Sequence, residues 1–162
     1  MDTREKIISR EGLSDILFEH RRAGRTIVFA NGVFDLLHAG HVRYLQSARA
    51  EGDVLVVGVN SDASTKRLKG DGRPILTERA RAALVAALAA VSYVVIFDDS
   101  DVRSLLRELQ PHVHAKGTDY TPESVPERDV AGALGVRVAI VGDPKDHSTR
   151  DLIARLRNGN DA

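Results

Sequence analysis

The chain has 162 residues, which suits one domain with its own core and is too short for two catalytic domains. Lys and Arg total 23, as do Asp and Glu, and this neutral balance argues against a protein that binds long nucleic acids. The absence of cysteine excludes disulfides, thiolate nucleophiles and cysteine-ligated zinc. Without a signal-peptide pattern or an apolar run near the roughly 20 residues of a membrane span, we expect a cytoplasmic protein with no membrane partner.

The N-terminal segment, residues 1–24, predicts one helix from Ser14 to Arg22 that ends before Gly24 and packs on the rest of the domain. Beyond it, short apolar runs alternate with segments of helical periodicity. The runs are rich in β-branched residues and continuously apolar, which predicts strands covered on both faces; they lie at 26–30, 54–59, 93–97, 112–115 and 136–141.

Apolar residues at helical spacing predict three helices between these runs, around 42–48, 80–90 and 102–109. The alanine-rich helix over 80–90 packs on its own sheet or against a partner chain. The alternation predicts an α/β fold: one domain over 1–162, with a parallel sheet of about five strands and helices on both faces. Residues 69–77 and 117–126 predict loops, and 158–162 predict a frayed tail.

The segment 31–41 follows the first predicted strand and opens a helix. Gly40 lets the backbone approach a ligand, and His38 and His41, three residues apart, point to one side. The N–H groups and partial positive charge of a helix start suit an anion such as a triphosphate. Two alternatives stay open: a partial metal site completed by Asp35, and histidines that only begin a helix. Asp35 is interpreted as structural, because a carboxylate repels a nearby phosphate unless backbone N–H groups satisfy it.

Three further segments carry groups that suit a phosphorylated ligand. Residues 66–81 hold six basic and two acidic residues around a Gly-rich turn, which indicates a mobile clamp on phosphates; a solvated charged surface is the alternative, above all for Arg67 and Arg79. Ser148 and Asp151 fit a capping box, and such a helix start also binds phosphate. Residues 116–120 follow a strand and suit a base or sugar pocket.

Taken in order, these segments resemble the cytidylyltransferase-like nucleotidyltransferases. The matching stretches include H-x-G-H at 38–41 and lie at 31–35, 38–41, 59–62, 67–70, 73–75, 116–120 and 148–149. Over about residues 6–157 the chain most resembles the D-glycero-D-manno-heptose 1-phosphate adenylyltransferases of bacterial lipopolysaccharide and surface-glycan synthesis. It departs from that pattern at Val33, where many members have cysteine, and at 145–150, where Lys145, His147 and Arg150 replace part of an E-G-x-S-T-T motif.

The resemblance implies a Rossmann-like, doubly wound domain whose strands lie in the order 3-2-1-4-5. It also implies a set of site residues. Those implied to be catalytic are His38, His41, Lys66 and Lys69. Those implied to bind the nucleotide are Phe29, Asn31, Gly32, Gly40, Arg81, Lys116, Gly117, Ser148 and Thr149. Those implied to bind the sugar phosphate are Asp35, Asn60, Asp62, Arg73 and Asp119.

The implied reaction joins ATP, with Mg²⁺, to heptose 1-phosphate and gives ADP-heptose and pyrophosphate. No metal ligand from the protein is implied. The resemblance also implies a homodimer or higher homo-oligomer, and a stand-alone enzyme whose kinase partner is a separate polypeptide. The alternatives are transfer of a cytidylyl or adenylyl group to another small phosphate, such as glycerol 3-phosphate or FMN, and a nucleotide-binding module without catalysis.

Overall fold

The sheet lies at the centre of the molecule. The structure, a computed structural model, describes residues 2–144 and 148–159; Lys145, His147 and residues 160–162 of the predicted tail lie outside these ranges. The strands are β1 (Ile27–Gly32), β2 (Val54–Asn60), β3 (Tyr93–Phe97), β4 (Val113–Lys116) and β5 (Arg137–Ile140). All pairings are parallel and the order is β3-β2-β1-β4-β5, which confirms the predicted fold class and strand order.

Helices cover both faces of the sheet. In chain order they are α1 (Arg10–Arg22), α2 (Ala39–Arg49), α3 (Asp62–Lys69), α4 (Glu78–Ala86), α5 (Arg103–Leu109), α6 (Arg128–Ala133) and α7 (Thr149–Arg157), with a 3₁₀ turn at Thr3–Lys6. One core cluster lies under α2 and α4 and includes Leu45 and Val85; the other lies under α1 and α5 and includes Leu13 and Leu105. Because the central strands are buried on both faces, their apolar residues are continuous in the sequence.

Several helix boundaries differ from the prediction. The first helix begins at Arg10 rather than Ser14, because Ser9 caps it by accepting a hydrogen bond from the N–H of Gly12. The alanine-rich helix ends at Ala86 and buries its small residues against β2 and β3, so its packing on its own sheet is the alternative that the structure supports. Two short helices, α3 and α6, were not predicted: α3 has little apolar periodicity, and α6 spans only six residues.

Strand order determines where a ligand has room. The chain leaves β1 toward β2 on one side and later enters β4 on the other side of β1. At such a point the connections after the two strands run in opposite directions and leave a crevice at the carboxyl ends. No helix within residues 2–144 and 148–159 combines the length and the apolar character that crossing a bilayer requires.

Candidate active site

A cavity of about 800 Å³ opens at this crevice, between the ends of β1 and β4 and the start of α7. It gathers most of the site residues that the sequence analysis names. Those lining it are Asn31, Gly32, Asp35, His38, Gly40, His41, Asn60, Lys69, Arg73, Lys116, Gly117, Asp119, Ser148 and Thr149. The named residues that do not line it are Phe29, Asp62, Lys66 and Arg81.

The two histidines of H-x-G-H form one stacked unit at the start of α2. His38 is the N-cap residue, and its backbone N–H donates to Nδ1 of His41 at 3.4 Å. The two rings stack with centroids 3.9 Å apart, and Phe34 packs edge-on against His41. A Cβ on Gly40 would lie 3.0 Å from the His38 ring, so glycine is what allows the stack. The two rings and the helix N-terminus therefore face the same cavity, as the spacing predicts.

The loop between β1 and α2 holds an unusual backbone. Phe34 and Leu36 both have positive φ, of 52° and 54°, in the left-handed region that bulky residues avoid. Such a residue costs on the order of 1–3 kcal/mol, so surrounding contacts must hold it in place. The residue between them, Asp35, supplies those contacts.

Asp35 joins three segments of the site. Its buried carboxylate accepts hydrogen bonds from the N–H groups of Ile75 (2.8 Å) and Leu76 (3.0 Å) and from Nε of Arg73 (3.0 Å). Its carbonyl accepts from the hydroxyl of Thr149 at the start of α7. Burial disfavours the carboxylate, but these donors outweigh it and hold the pKa of Asp35 below its usual range. The geometry agrees with the structural interpretation of Asp35, although the residue also lines the cavity.

Arg81 lies in the interior, fully buried, rather than on the cavity wall. Its guanidinium donates to the carbonyls of Leu76 (3.0 Å) and Val33 (2.6 Å) and to the carboxylate of Asp62 (2.8 Å). It thus connects the H-x-G-H loop, the start of α3 and the segment before α4. Because its donors bind groups within the protein, Arg81 stabilises the segments that form the cavity and does not itself line it.

The basic residues of the 66–81 run that lie on α3 have different surroundings. The side chain of Lys69, on the last turn of α3, reaches the cavity, whereas that of Lys66 lies outside it, 3.6 Å from Asp71. Arg67 donates to the carbonyl and carboxylate of Asp98 at the end of β3. Arg67 therefore fixes α3 to the end of β3, and of the basic residues predicted to form a clamp, Lys69 and Arg73 line the cavity.

Asp98 also holds the start of α3. Ser61 caps the helix by accepting from the N–H of Ser64, and its hydroxyl donates to Asp98. These bonds keep the pKa of Asp98 below its ordinary value. Asn60, just before the cap, lines the cavity while its amide donates to Ser64 at 3.1 Å. The end of β2 is thereby a rigid wall of the cavity.

On the opposite wall, Lys116 is buried at the end of β4. Its ammonium lies 3.5 Å from the buried carboxylate of Glu127 and 4.9 Å from the ring centroid of Tyr120. A Cβ on Gly117 would approach the Asp119 carboxylate to 3.0 Å, so the two residues pack closely in the turn after β4. This wall presents a fixed cation next to an aromatic ring.

The start of α7 closes the cavity. Ser148 accepts a hydrogen bond from the N–H of Asp151 at 3.1 Å and donates to its carboxylate, which confirms the predicted helix cap. Because the Thr149 hydroxyl donates to Asp35, both hydroxyls are engaged within the protein. The backbone N–H groups of Thr149 and Arg150, before the capped N–H of Asp151, are then what this end offers an anion.

Sequence reasoning missed several lining residues. Among them are Arg43, Tyr44 and Asp143. Arg43 lies three positions after Gly40 on α2, so helical spacing was a usable signal for it. Tyr44 is placed by a long-range bond from its hydroxyl to the carbonyl of Ala115, which no local pattern indicates. Burial raises the pKa of Tyr44, so it stays a neutral donor.

The predicted alternative of a metal site at Asp35, His38 and His41 finds no geometric support. Within the part of the chain that the structure describes, no group of three or more His, Asp or Glu side chains is arranged to hold a metal ion. The Asp35 carboxylate is turned toward the 73–76 segment, where three donors engage it.

The parallel sheet has the order 3-2-1-4-5, H-x-G-H follows its first strand, and basic residues surround the cavity at the carboxyl ends of β1 and β4. Together these features define a Rossmann-like nucleotidyltransferase domain. The chain belongs to the cytidylyltransferase-like family, whose sequence model matches residues 29–153.

Relatives support the same class. The bifunctional protein HldE of Syntrophotalea carbinolica is 49% identical over 151 residues, which are 93% of this chain and 31% of that protein. HldE of Pelobacter propionicus is 48% identical over 155 residues, 96% of this chain and 32% of that protein. This chain thus spans about a third of the length of these curated relatives.

A solved structure agrees with the fold. The crystal structure of a lipopolysaccharide core biosynthesis protein from Thermoplasma volcanium GSS1 superposes with a TM-score of 0.64 at 31% identity. The match covers 75% of this chain and all of that one.

Proposed function

We propose that this protein transfers an adenylyl group from ATP to D-glycero-D-manno-heptose 1-phosphate, giving ADP-heptose and pyrophosphate. One observation carries the proposal: the N-termini of α2 and α7 and the side chains of Lys69, Arg73 and Lys116 all converge on one cavity. Two helix starts and three cations suit a ligand with several phosphates. The sugar is supported by the ordered motifs that resemble heptose 1-phosphate adenylyltransferases, and by the likeness to a lipopolysaccharide core biosynthesis protein.

The proposed chemistry is an in-line displacement. An oxygen of the sugar phosphate attacks the α-phosphorus of ATP, the bond from that phosphorus to the bridging oxygen of the β-phosphate breaks, and pyrophosphate leaves with the electron pair. The attacking oxygen is already anionic near neutral pH, so the step needs no strong general base. ATP enters as its Mg²⁺ complex. The work of the protein is to position the two substrates and to neutralise charge.

Each group has a distinct part in this step. The stacked rings of His38 and His41 sit at the start of α2, where ring N–H groups and helix N–H groups can meet the α- and β-phosphates. The first turn of α7 and Lys69 would hold the leaving pyrophosphate. Asp35 and Arg81 would act indirectly, by keeping the H-x-G-H loop and the 73–76 segment in register.

The decisive experiment incubates the protein with Mg²⁺, heptose 1-phosphate and each of ATP, CTP, GTP and UTP in turn, and measures pyrophosphate. We expect release with ATP that depends on the sugar phosphate. Release with CTP and glycerol 3-phosphate, or with FMN and ATP, would replace the substrate assignment. An absence of release with every pair, together with nucleotide binding, would favour a module without catalysis.

Variants test the phosphate site. Replacing His41 or His38 with Ala removes a contact to developing charge, which by analogy with oxyanion donors costs about 2.7–4 kcal/mol, or roughly 100- to 1,000-fold in kcat. Circular dichroism should show a folded protein. Near-normal pyrophosphate release by either variant would contradict the assignment.

The role of Lys69 is tested with Arg79, an exposed basic residue outside the cavity, as the matched control. Lys69→Ala should raise the KM for ATP or lower kcat, whereas Arg79→Ala removes the same charge from an exposed position and should change neither. Equal effects of the two substitutions would assign Lys69 to the solvated surface.

A further inference from the structure

A buried histidine that the proposed chemistry does not use lies directly behind the cavity wall. His114 is at the second position of β4, fully buried between Phe29 of β1 and Val138 of β5. Its ring packs against Phe29 with centroids 5.6 Å apart. Its Nε2 lies 3.1 Å from Oδ1 of Asn31, a residue that lines the cavity at the end of β1.

The surroundings keep this ring neutral. Burial, reinforced by the charge of nearby Lys116, lowers the pKa of His114 to about 3. A neutral imidazole has one N–H donor and one acceptor, so the position of its single proton decides what it can do.

The hydrogen-bond network selects the tautomer. Nδ1 of His114 is buried and has no hydrogen-bond partner among the residues that the structure describes. A proton on Nδ1 would therefore be a buried donor without an acceptor, and would leave the Nε2 lone pair facing the Asn31 oxygen. A proton on Nε2 instead donates to that oxygen and leaves only an acceptor unsatisfied. The Nε2–H tautomer is therefore the favoured one.

We propose that His114 is a positioning residue: it fixes the amide of Asn31 with the oxygen turned to the sheet and the NH2 group presented to the cavity. The site then selects, at this point, a substrate that carries a hydrogen-bond acceptor, namely a phosphate or sugar oxygen. This role rests on the proposed function. The two ends of an amide differ only in hydrogen bonding, so without the His114 donor the NH2 and oxygen of Asn31 could exchange places.

A first test needs neither substrate nor turnover. In protein labelled with ¹⁵N at histidine, the long-range ¹H–¹⁵N spectrum distinguishes the two neutral tautomers of each ring. We expect His114 to show the Nε2–H pattern and to keep it between pH 5 and 9. The Nδ1–H pattern, or a ring that titrates in this range, would overturn the proposal while leaving adenylyl transfer untouched.

A second test measures coupling between the two residues. His114→Leu removes the donor, and we expect kcat/KM to fall by about tenfold or more, mainly through the KM of whichever substrate contacts Asn31. Separate KM values for ATP and for the sugar phosphate identify that substrate. In an Asn31→Ala background, His114→Leu should lower kcat/KM by less than about twofold, because the amide it orients is gone. Additive losses would mean that His114 acts only through packing.

Two variants separate positioning from packing. His114→Gln retains an N–H donor and should recover most of the activity lost in His114→Leu. Val138→Ala removes packing atoms beside the ring without changing a polar group, and should lower stability with little change in KM. Should the Val138 variant reproduce the KM change of His114→Leu, the positioning role is wrong.

Discussion

The junction at Asp35 provides the sharpest test of how the site is held together. Replacement of Asp35 with Asn preserves shape but exchanges one carboxylate oxygen for an NH2 group and removes the charge. One carboxylate oxygen accepts from Ile75 and Arg73, and the other accepts from Leu76. The amide retains the first pair of bonds at best, and it then turns its NH2 group toward the N–H of Leu76.

The magnitude follows from these contacts. A buried donor left without an acceptor costs about 1–3 kcal/mol, and the bond from Arg73 falls from the range of a charged hydrogen bond, about 1.5–3 kcal/mol, toward that of a neutral one, about 0.5–1.5 kcal/mol. We therefore expect Asp35→Asn to lower the free energy of unfolding by about 3 kcal/mol at pH 7. Asp71→Asn is the matched control, because Asp71 lies in the same segment but is exposed, and its substitution should cost less than about 0.5 kcal/mol.

The pH dependence gives an independent check. Because folding lowers the pKa of Asp35 from its ordinary value of 3.8, the carboxylate stabilises the native state above that value, and this contribution is lost as pH falls through the folded pKa. Urea unfolding of wild type and Asp35→Asn should therefore show a wide gap at pH 7 that narrows below pH 4. A gap under about 0.5 kcal/mol at pH 7, or one that does not narrow in acid, would refute the reasoning.

Two other substitutions test the support of the site. Arg81→Met leaves the carbonyls of Val33 and Leu76 without their donor, and it should lower the free energy of unfolding by about 3 kcal/mol, within the range for two buried groups that lose their partner. Arg79→Met on the surface should not, and equal chemical-denaturation midpoints of the two variants would contradict the interior role of Arg81. Gly40→Ala brings a Cβ to 3.0 Å from the His38 ring and should reduce kcat at least tenfold with the fold intact. In the control Gly132→Ala, a Cβ meets nothing within 4 Å, so turnover should be unchanged. A fully active Gly40→Ala enzyme would show that the histidine stack is not needed.

Much of the architecture was predictable because the signals are local. Continuous β-branched runs predict strands buried on both faces, and β1 and β2 are buried in this way. The pair His38 and His41 was found from spacing alone, because residues three apart on a helix start face the same side. The start of α7 was equally readable, since Ser148 and Asp151 form the cap that their spacing predicts.

The missed helix α3 shows where local signals weaken. Its sequence from Asp62 to Lys69 contains almost no apolar periodicity, so the hydrophobic pattern was silent. The signals available in the sequence were a capping residue at Ser61, a basic last turn and a glycine at position 70. These signals mark only the ends of a helix. Contacts from far along the chain also hold α3 in place, because Asp98, just after β3, accepts hydrogen bonds from both Ser61 and Arg67.

By itself, the sequence determined the class of fold, the strand order expected from the resemblance, and the place of the H-x-G-H loop. Only the tertiary structure decided which members of one basic run serve the cavity. Lys69 reaches it, whereas Arg81 is buried behind it against Val33 and Asp62. The sequence does not determine what a basic side chain does, because its partners can lie tens of residues away, as Asp98 does from Arg67 and Val33 from Arg81. The fold decides which carbonyls and carboxylates come within about 3 Å of it. The same type of side chain can therefore line a cavity, fix a helix to a strand end or stabilise the interior.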